Sequence, residues 1–216
     1  MTISFLWKTP GPVPSVGPPR LYPPPGSTRR LYPIPSMSLV ATHSFATAPD
    51  LDILLVPGGI GNRFLNDTGD TSMEDFIASR YPSLKYLLSV CTGAATLAKS
   101  GVLNGRRATT NKAAWEWATS FGGGKVKWTA TARWVVDGNV WTSSGISAGI
   151  DMTYAFVKEL IGEKVAGEVI NGMEYTPHLD HNWDPYSVVF DVEGADRTRR
   201  LGDCVGPVGF EFDCGK

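Results

Sequence analysis

Three cysteines in 216 residues are too few, and odd in number, for a disulfide framework; Cys91, Cys204 and Cys214 suit a reducing, cytoplasmic setting. No uninterrupted apolar run approaches the roughly 18 residues of a membrane span. The apolar block from Ile3 to Trp7 is too short for a signal-peptide core. An excess of one charge is also lacking. The formal net charge is -1, so neither nucleic acid nor a membrane surface is an expected partner. Carboxylates are missing from a whole stretch: residues 1–49 hold Lys8, Arg20, Arg29 and Arg30, and the first acidic residue is Asp50. What is present, 42% hydrophobic and 19% charged residues, is the make-up of a globular chain long enough for one α/β domain with a sizeable core.

The composition divides the chain. Residues 1–36 carry 10 of the 16 prolines, without hydrophobic periodicity, and read as an extended or aberrant segment unable to build a core. Residues 37–190 are expected to form the folded domain, and 191–216 a poorly ordered, charged and Gly-rich tail. Within the domain, Ser38 to Thr42 is an edge-strand candidate, and Ile53-Leu54-Leu55-Val56 is a buried strand stopping at Pro57-Gly58-Gly59. Thr71-Ser72-Met73-Glu74 has capping-box spacing and opens a helix to about Arg80. Tyr86 to Val90 is a strand, followed by a helix over Ala94 to Lys99. Then come a short strand at Arg107 to Thr110, a helix from Lys112 to Phe121, and strands at Lys125 to Ala130 and Ala132 to Val136. Asp137-Gly138-Asn139 turns the last of these into Val140 to Ser143. Helices over Met152 to Leu160 and Val165 to Met173 close the domain. Strands alternating with helices predict a mostly parallel sheet covered on both faces.

Cys91 is the residue to which chemistry attaches. It follows a strand and precedes Thr92-Gly93 and a run of helix formers, the layout of a nucleophile elbow with Cys in place of Ser. A thiol at a helix N-terminus is expected to favour its thiolate. The competing reading is a buried cysteine at the end of a core strand. In parallel sheets sites form beyond the carboxyl ends of strands. Gly58-Gly59, Cys91 and Thr110-Asn111 all fall at such ends, which favours the site. The glycine pair exposes backbone N–H groups that can serve as oxyanion donors. Trp183, with Tyr186 in a late loop, is a candidate pocket wall, while the other tryptophans read as packing. His178 and His181 with nearby acids read as a surface loop rather than a metal site, and no metal is expected. Glu116 reads as solvent-facing, and Asp151 as a helix-start carboxylate placed for the dipole.

LLVPGG (54–59), SVCTGAATLAKSGVLNGRRATTN (89–111) and TSSGISAGIDM (142–152) resemble the DJ-1/PfpI superfamily, and within it the isonitrile hydratase branch. The resemblance covers about residues 38–190. It implies a flavodoxin-like three-layer α/β/α sandwich, a homodimer, a small-molecule substrate and no cofactor. It makes Cys91 the nucleophile, with oxyanion N–H groups from Gly59 and Thr92. The Thr92 hydroxyl is expected to hold water or substrate, and Gly58, Ile60, Thr110, Asn111 and Trp183 to line the pocket.

Two departures from the family pattern matter. Asn111 stands where many relatives carry His, and an amide cannot act as a base near neutral pH, so protease-like Cys–His chemistry is disfavoured. The family's first strand, with an acid that contacts the nucleophile, belongs in residues 1–36, where there is none. The first strand is therefore expected to be missing or replaced, through an incorrect gene model or a genuine loss that impairs catalysis. The leading expectation is hydration of an isocyanide to an N-substituted formamide. The alternatives are glyoxalase-type action on methylglyoxal, and a non-catalytic, redox-responsive protein whose Cys91 is merely oxidisable.

Overall fold

The computed structural model describes residues 41–199 and 201, together with the backbone of 6–7, 11–12 and 40. The rest of the Pro-rich segment, and the tail with Cys204 and Cys214, lie outside the described residues. Strand β1 (Leu6–Trp7) pairs in parallel with β4 (His43–Ser44), and β2 (Gly11–Pro12) pairs antiparallel with β3 (Val40–Ala41). Next come β5 (Ile53–Val56), α1 (Ile60–Asp67), α2 (Ser72–Arg80), β6 (Tyr86–Val90) and α3 (Gly93–Lys99). They are followed by β7 (Arg107–Ala108), α4 (Trp115–Thr119) and β8 (Lys127–Trp128). The hairpin β9 (Trp134–Asp137) and β10 (Val140–Ser143) leads to α5 (Ile146–Ile161), α6 (Glu163–Gly172) and α7 (Tyr186–Val189).

The central sheet runs β5-β6-β10-β9, the first two neighbouring pairs parallel and the hairpin antiparallel. This is the mostly parallel α/β sheet that the alternation of elements predicts. Successive side chains of a strand point to opposite faces. Leu87 accordingly packs with Phe76, Ile77 and Leu97 of α2 and α3, while its neighbour Leu88 packs with Trp141, Met152 and Phe156 on the α5 side. Both strand residues are almost wholly buried, so β6 is the spine of a three-layer arrangement. Strand β5 lies at one end of the described sheet; its Leu54 and Val56 pack on the α2 and α3 side, while Leu55, on the opposite face, is 45% exposed. Among the described residues no helix is long and apolar enough to cross a membrane.

Several elements differ from the sequence expectation. Helix α1 was not foreseen, since Gly61, Asn62, Asn66 and Asp67 are poor helix formers; it forms because Leu65 is buried against the domain. The capping box is absent: Thr71 Oγ1 donates to Asp75 Oδ2 at 3.0 Å, and Glu74 instead crosses to Lys99 Nζ of α3 at 2.6 Å. The strands expected over 125–130 and 107–110 shrink to β8 and β7, which pair only with each other in the described structure. The helix expected from Lys112 begins instead as a single tight turn over Lys112–Ala114. Helix α5 starts six residues before the expected Met152, because Ile146 to Asp151 wind into it.

Candidate active site

The parallel register sets Val56 beside Ser89 and Ser143 beside Val90, so β5, β6 and β10 end together. Cys91, the residue after β6, has φ +59°, a left-handed conformation that non-glycine residues adopt at a cost of about 1–3 kcal/mol. Its backbone is held on both sides. The Cys91 N–H donates to Ser143 O at 3.1 Å and Ser144 O at 2.7 Å. The Cys91 carbonyl accepts from Thr110 Oγ1 at 3.0 Å. The elbow geometry expected from Val90-Cys91-Thr92 is therefore present.

The two β5-end glycines act by closeness. A Cβ on Gly58 would lie 2.5 Å from Thr92 N and 2.7 Å from Cys91 Cβ, so only glycine lets this loop pass over the elbow. Gly59, at φ +135°, donates its N–H to Thr92 Oγ1 at 2.9 Å. That donor is thus already engaged, and it becomes available to an oxyanion only when the Thr92 hydroxyl turns away. The same hydroxyl and the Thr92 N–H both hydrogen-bond to Cys91. Gly59, Thr92 and the sulfur form a short relay.

The expected thiolate does not follow. Burial pushes the Cys91 thiol above its ordinary value, and this outweighs the opposing hydrogen bonds from the Thr92 backbone and side chain. Helix α3, at seven residues, starts beside the thiol but does not reverse the balance. The sign gives a prediction. Alkylation at Cys91 should accelerate as pH rises and should still be climbing at the ordinary thiol value of 9.0, as the pH profile of iodoacetamide labelling would show. A plateau reached below that value would contradict it.

The remaining expected pocket residues divide. Thr110 is fully buried under the Cys91 carbonyl. Ile60 opens α1 and is 48% exposed. The Asn111 Oδ1 accepts from Ala114 N at 3.0 Å, capping the turn that follows, and its amide nitrogen faces Gly145 at the start of α5. Trp183 is buried, but its Nε1 donates to Asp196 O at 3.4 Å and Arg199 covers its ring. These partners set it among the residues after α7. Glu116 is exposed, as expected.

Behind the elbow lies a buried polar cluster that the sequence did not disclose. Asp151 is the sixth residue of α5 rather than a helix-start acid, and it is 1% exposed. Arg133 Nε donates to its Oδ2 at 2.7 Å, Tyr175 OH donates to its Oδ1 at 2.6 Å, and His178 N–H donates to Oδ1 at 3.0 Å. Arg133 also faces Asp184 at 3.7 Å. Burial, reinforced by the hydrogen bond to Asp151, pushes the Tyr175 phenol up to about 12. Lys112 Nζ donates to Thr109 Oγ1 at 2.7 Å and Ala132 O at 2.9 Å, and burial pulls it down to about 8, against the pull of Asp184. A lysine lowered on folding binds its proton more weakly in the folded state. Its destabilising effect is therefore full below pH 8 and fades as pH rises towards 10.5. Lys112→Met lacks this titration, so over that window the parent's melting temperature should rise relative to that of Lys112→Met in a pH series of thermal melts. Among the described residues no group of three His, Cys, Asp or Glu is placed to hold a metal ion.

Residues 34–159 match the sequence pattern of the DJ-1/PfpI family. The isonitrile hydratase of Pseudomonas putida is 39% identical over 141 residues, covering 65% of this chain and 59% of the relative. A crystal structure of a ThiJ/PfpI family protein from Pseudomonas syringae aligns with TM-score 0.57 and 32% identity over 66% of this chain and 57% of that one. The chain thus spans less than two thirds of these relatives. Drosophila melanogaster DJ-1beta aligns with TM-score 0.53 at 22% identity, covering 65% of this chain and 74% of its own, a likeness of fold.

Proposed function

We propose that this chain, which belongs to the DJ-1/PfpI family, adds water to an isocyanide to give an N-substituted formamide, with Cys91 as nucleophile. The observation that carries the reading is the elbow: a free thiol held in a left-handed turn where three strands end, with the Thr92 hydroxyl on its sulfur. Its 39% identity to an isonitrile hydratase supports the substrate class. The thiolate attacks the isocyanide carbon, forming the C–S bond, and that carbon takes a proton, giving a thioimidate. Water then adds to the C=N carbon, one of its protons passing to nitrogen; its second proton, replacing the one that carbon took, leaves as the C–S bond breaks to release the N-substituted formamide and thiolate. The Thr92 hydroxyl, which accepts from Gly59 N–H and whose hydrogen bond favours the Cys91 thiolate, is assigned to bind the attacking water. The test is incubation of the purified full chain with an alkyl isocyanide, with NMR detection of the formamide. Methylglyoxal consumption without isocyanide turnover would replace this reading with a glyoxalase one.

The same proposal makes the working unit a cytoplasmic homodimer. Support comes from the outer face of α5 and α6, where Ile146, Ile150, Val169 and Met173 are exposed around an apolar groove of about 400 Å³. Sedimentation of the parent as a dimer, and of Val169→Glu as a monomer, is the expected result. A monomeric parent at micromolar concentration would remove the dimer from the proposal.

A further inference from the structure

Cys91 keeps its left-handed backbone because its N–H has two carbonyl acceptors, Ser143 and Ser144. What fixes Ser144 in turn is one residue. Ser144 N–H donates to Arg133 O at 2.9 Å. The Arg133 side chain reaches past that turn into α5, which begins two residues later. Its Nη2 donates to Ser147 Oγ at 3.3 Å, and its Nε and Nη2 hold Asp151 Oδ2 at 2.7 and 2.6 Å. Its own N–H donates to His181 O at 2.8 Å. The corner from Ser143 to Ser147 is thus gripped at its start by the Arg133 main chain and at its end by the Arg133 guanidinium. Arg133 is 5% exposed and Asp151 1%, so neither is shielded by water or free to swing.

We propose that Arg133, through its ion pair with Asp151, is a positioning residue for Cys91, holding the Ser144 carbonyl that keeps the elbow in place. The proposal rests on Cys91 being the reacting thiol, but not on which substrate it attacks. The chain runs through named contacts: Asp151 to Arg133, Arg133 O to Ser144 N, Ser144 O to Cys91 N. A buried ion pair is weak evidence of a stabilising role, because replacing both charges together is often neutral for the fold. An ion pair that serves a neighbouring turn explains its place here.

The deciding variant is Arg133→Met with Asp151→Asn in the full chain. It removes both charges of the pair, leaves an amide oxygen for Tyr175 and His178, and leaves Asp184 with Lys112 as its cationic neighbour. Far-UV circular dichroism and thermal melting report the fold. Iodoacetamide labelling, read by mass spectrometry on the Cys91 peptide across pH, reports the elbow. With the Ser144 acceptor loosened, both the burial of the thiol and its hydrogen bonds from Thr92 change, so the labelling midpoint should shift by about half a pH unit or more. Isocyanide turnover should fall about tenfold in kcat with KM little changed. A folded variant whose midpoint is unmoved overturns the proposal. If the double variant does not fold, Arg133→Lys decides: it keeps the charge but lacks the fork that reaches Ser147, and it too should shift the midpoint, an unchanged one again overturning the proposal. A shifted midpoint in a chain that turns over no isocyanide would keep the positioning role and remove only the substrate reading.

Discussion

Cys91→Ala should abolish formamide production while leaving the fold intact. The rate is expected to drop at least about a thousandfold, to the uncatalysed background, because Cys91 is the free cysteine among the described residues and alanine cannot form the covalent intermediate. Stability should scarcely change. Alanine keeps the Cβ, so the left-handed strain at φ +59° is the same, and Thr92, Ser143 and Ser144 keep their backbone contacts. Cys91→Gly separates strain from chemistry. Glycine accepts this conformation freely, so the variant should be as inactive as the alanine form yet more stable by about 1 kcal/mol. Thermal melts beside the NMR assay check both halves. Retained turnover in either variant refutes Cys91 as nucleophile, and a less stable glycine form refutes the strained elbow.

The elbow was legible because its signals are local. A short apolar run, one small polar nucleophile and a run of alanines are consecutive in the chain, and Asp137-Gly138-Asn139 announces the hairpin equally locally. What was not legible depends on long separations. Arg133 and Asp151 are 18 residues apart, and nothing in either segment says that one will face the other inside the protein. Glu74 has the spacing of a capping residue, but its partner Lys99 becomes visible only once α2 packs on α3. The thiol shift went the wrong way in the sequence reading for the same reason. A helix start can be read from residues 92–99, whereas the burial that dominates it is a property of the assembled fold. On sequence alone the glycines are turn formers with exposed N–H groups. Gly59 fits that in part, but Gly58 and Gly93 are there because backbone passes too close for a side chain.

Gly93→Ala is therefore expected to be the most damaging single-methyl change in the domain. A Cβ at Gly93 would sit 2.3 Å from Val56 O, 3.1 Å from Val56 C and 3.2 Å from Pro57 C. All three are main-chain atoms at the end of β5, so no rotamer change relieves the clash. Either α3 moves away from the sheet or β5 bends outwards. Overpacking of this kind costs about 3 kcal/mol. In a domain of this size that lowers the melting temperature by about 10 °C. The damage should reach the chemistry as well, since Gly93 adjoins Thr92, and moving α3 stretches the 2.9 Å bond from Gly59 N to Thr92 Oγ1. Gly167→Ala, in the interior of α6 with no atom within 4 Å of the new Cβ, is the control. It should raise stability by about 0.5–1 kcal/mol, because alanine is the better helix former. Melting both variants beside the parent tests the close approach of α3 and β5. Gly93→Ala melting within a degree or two of Gly167→Ala would mean that the strand end and the elbow do not meet as closely as the structure shows, and that the geometry supporting Cys91 is looser than the proposed mechanism requires.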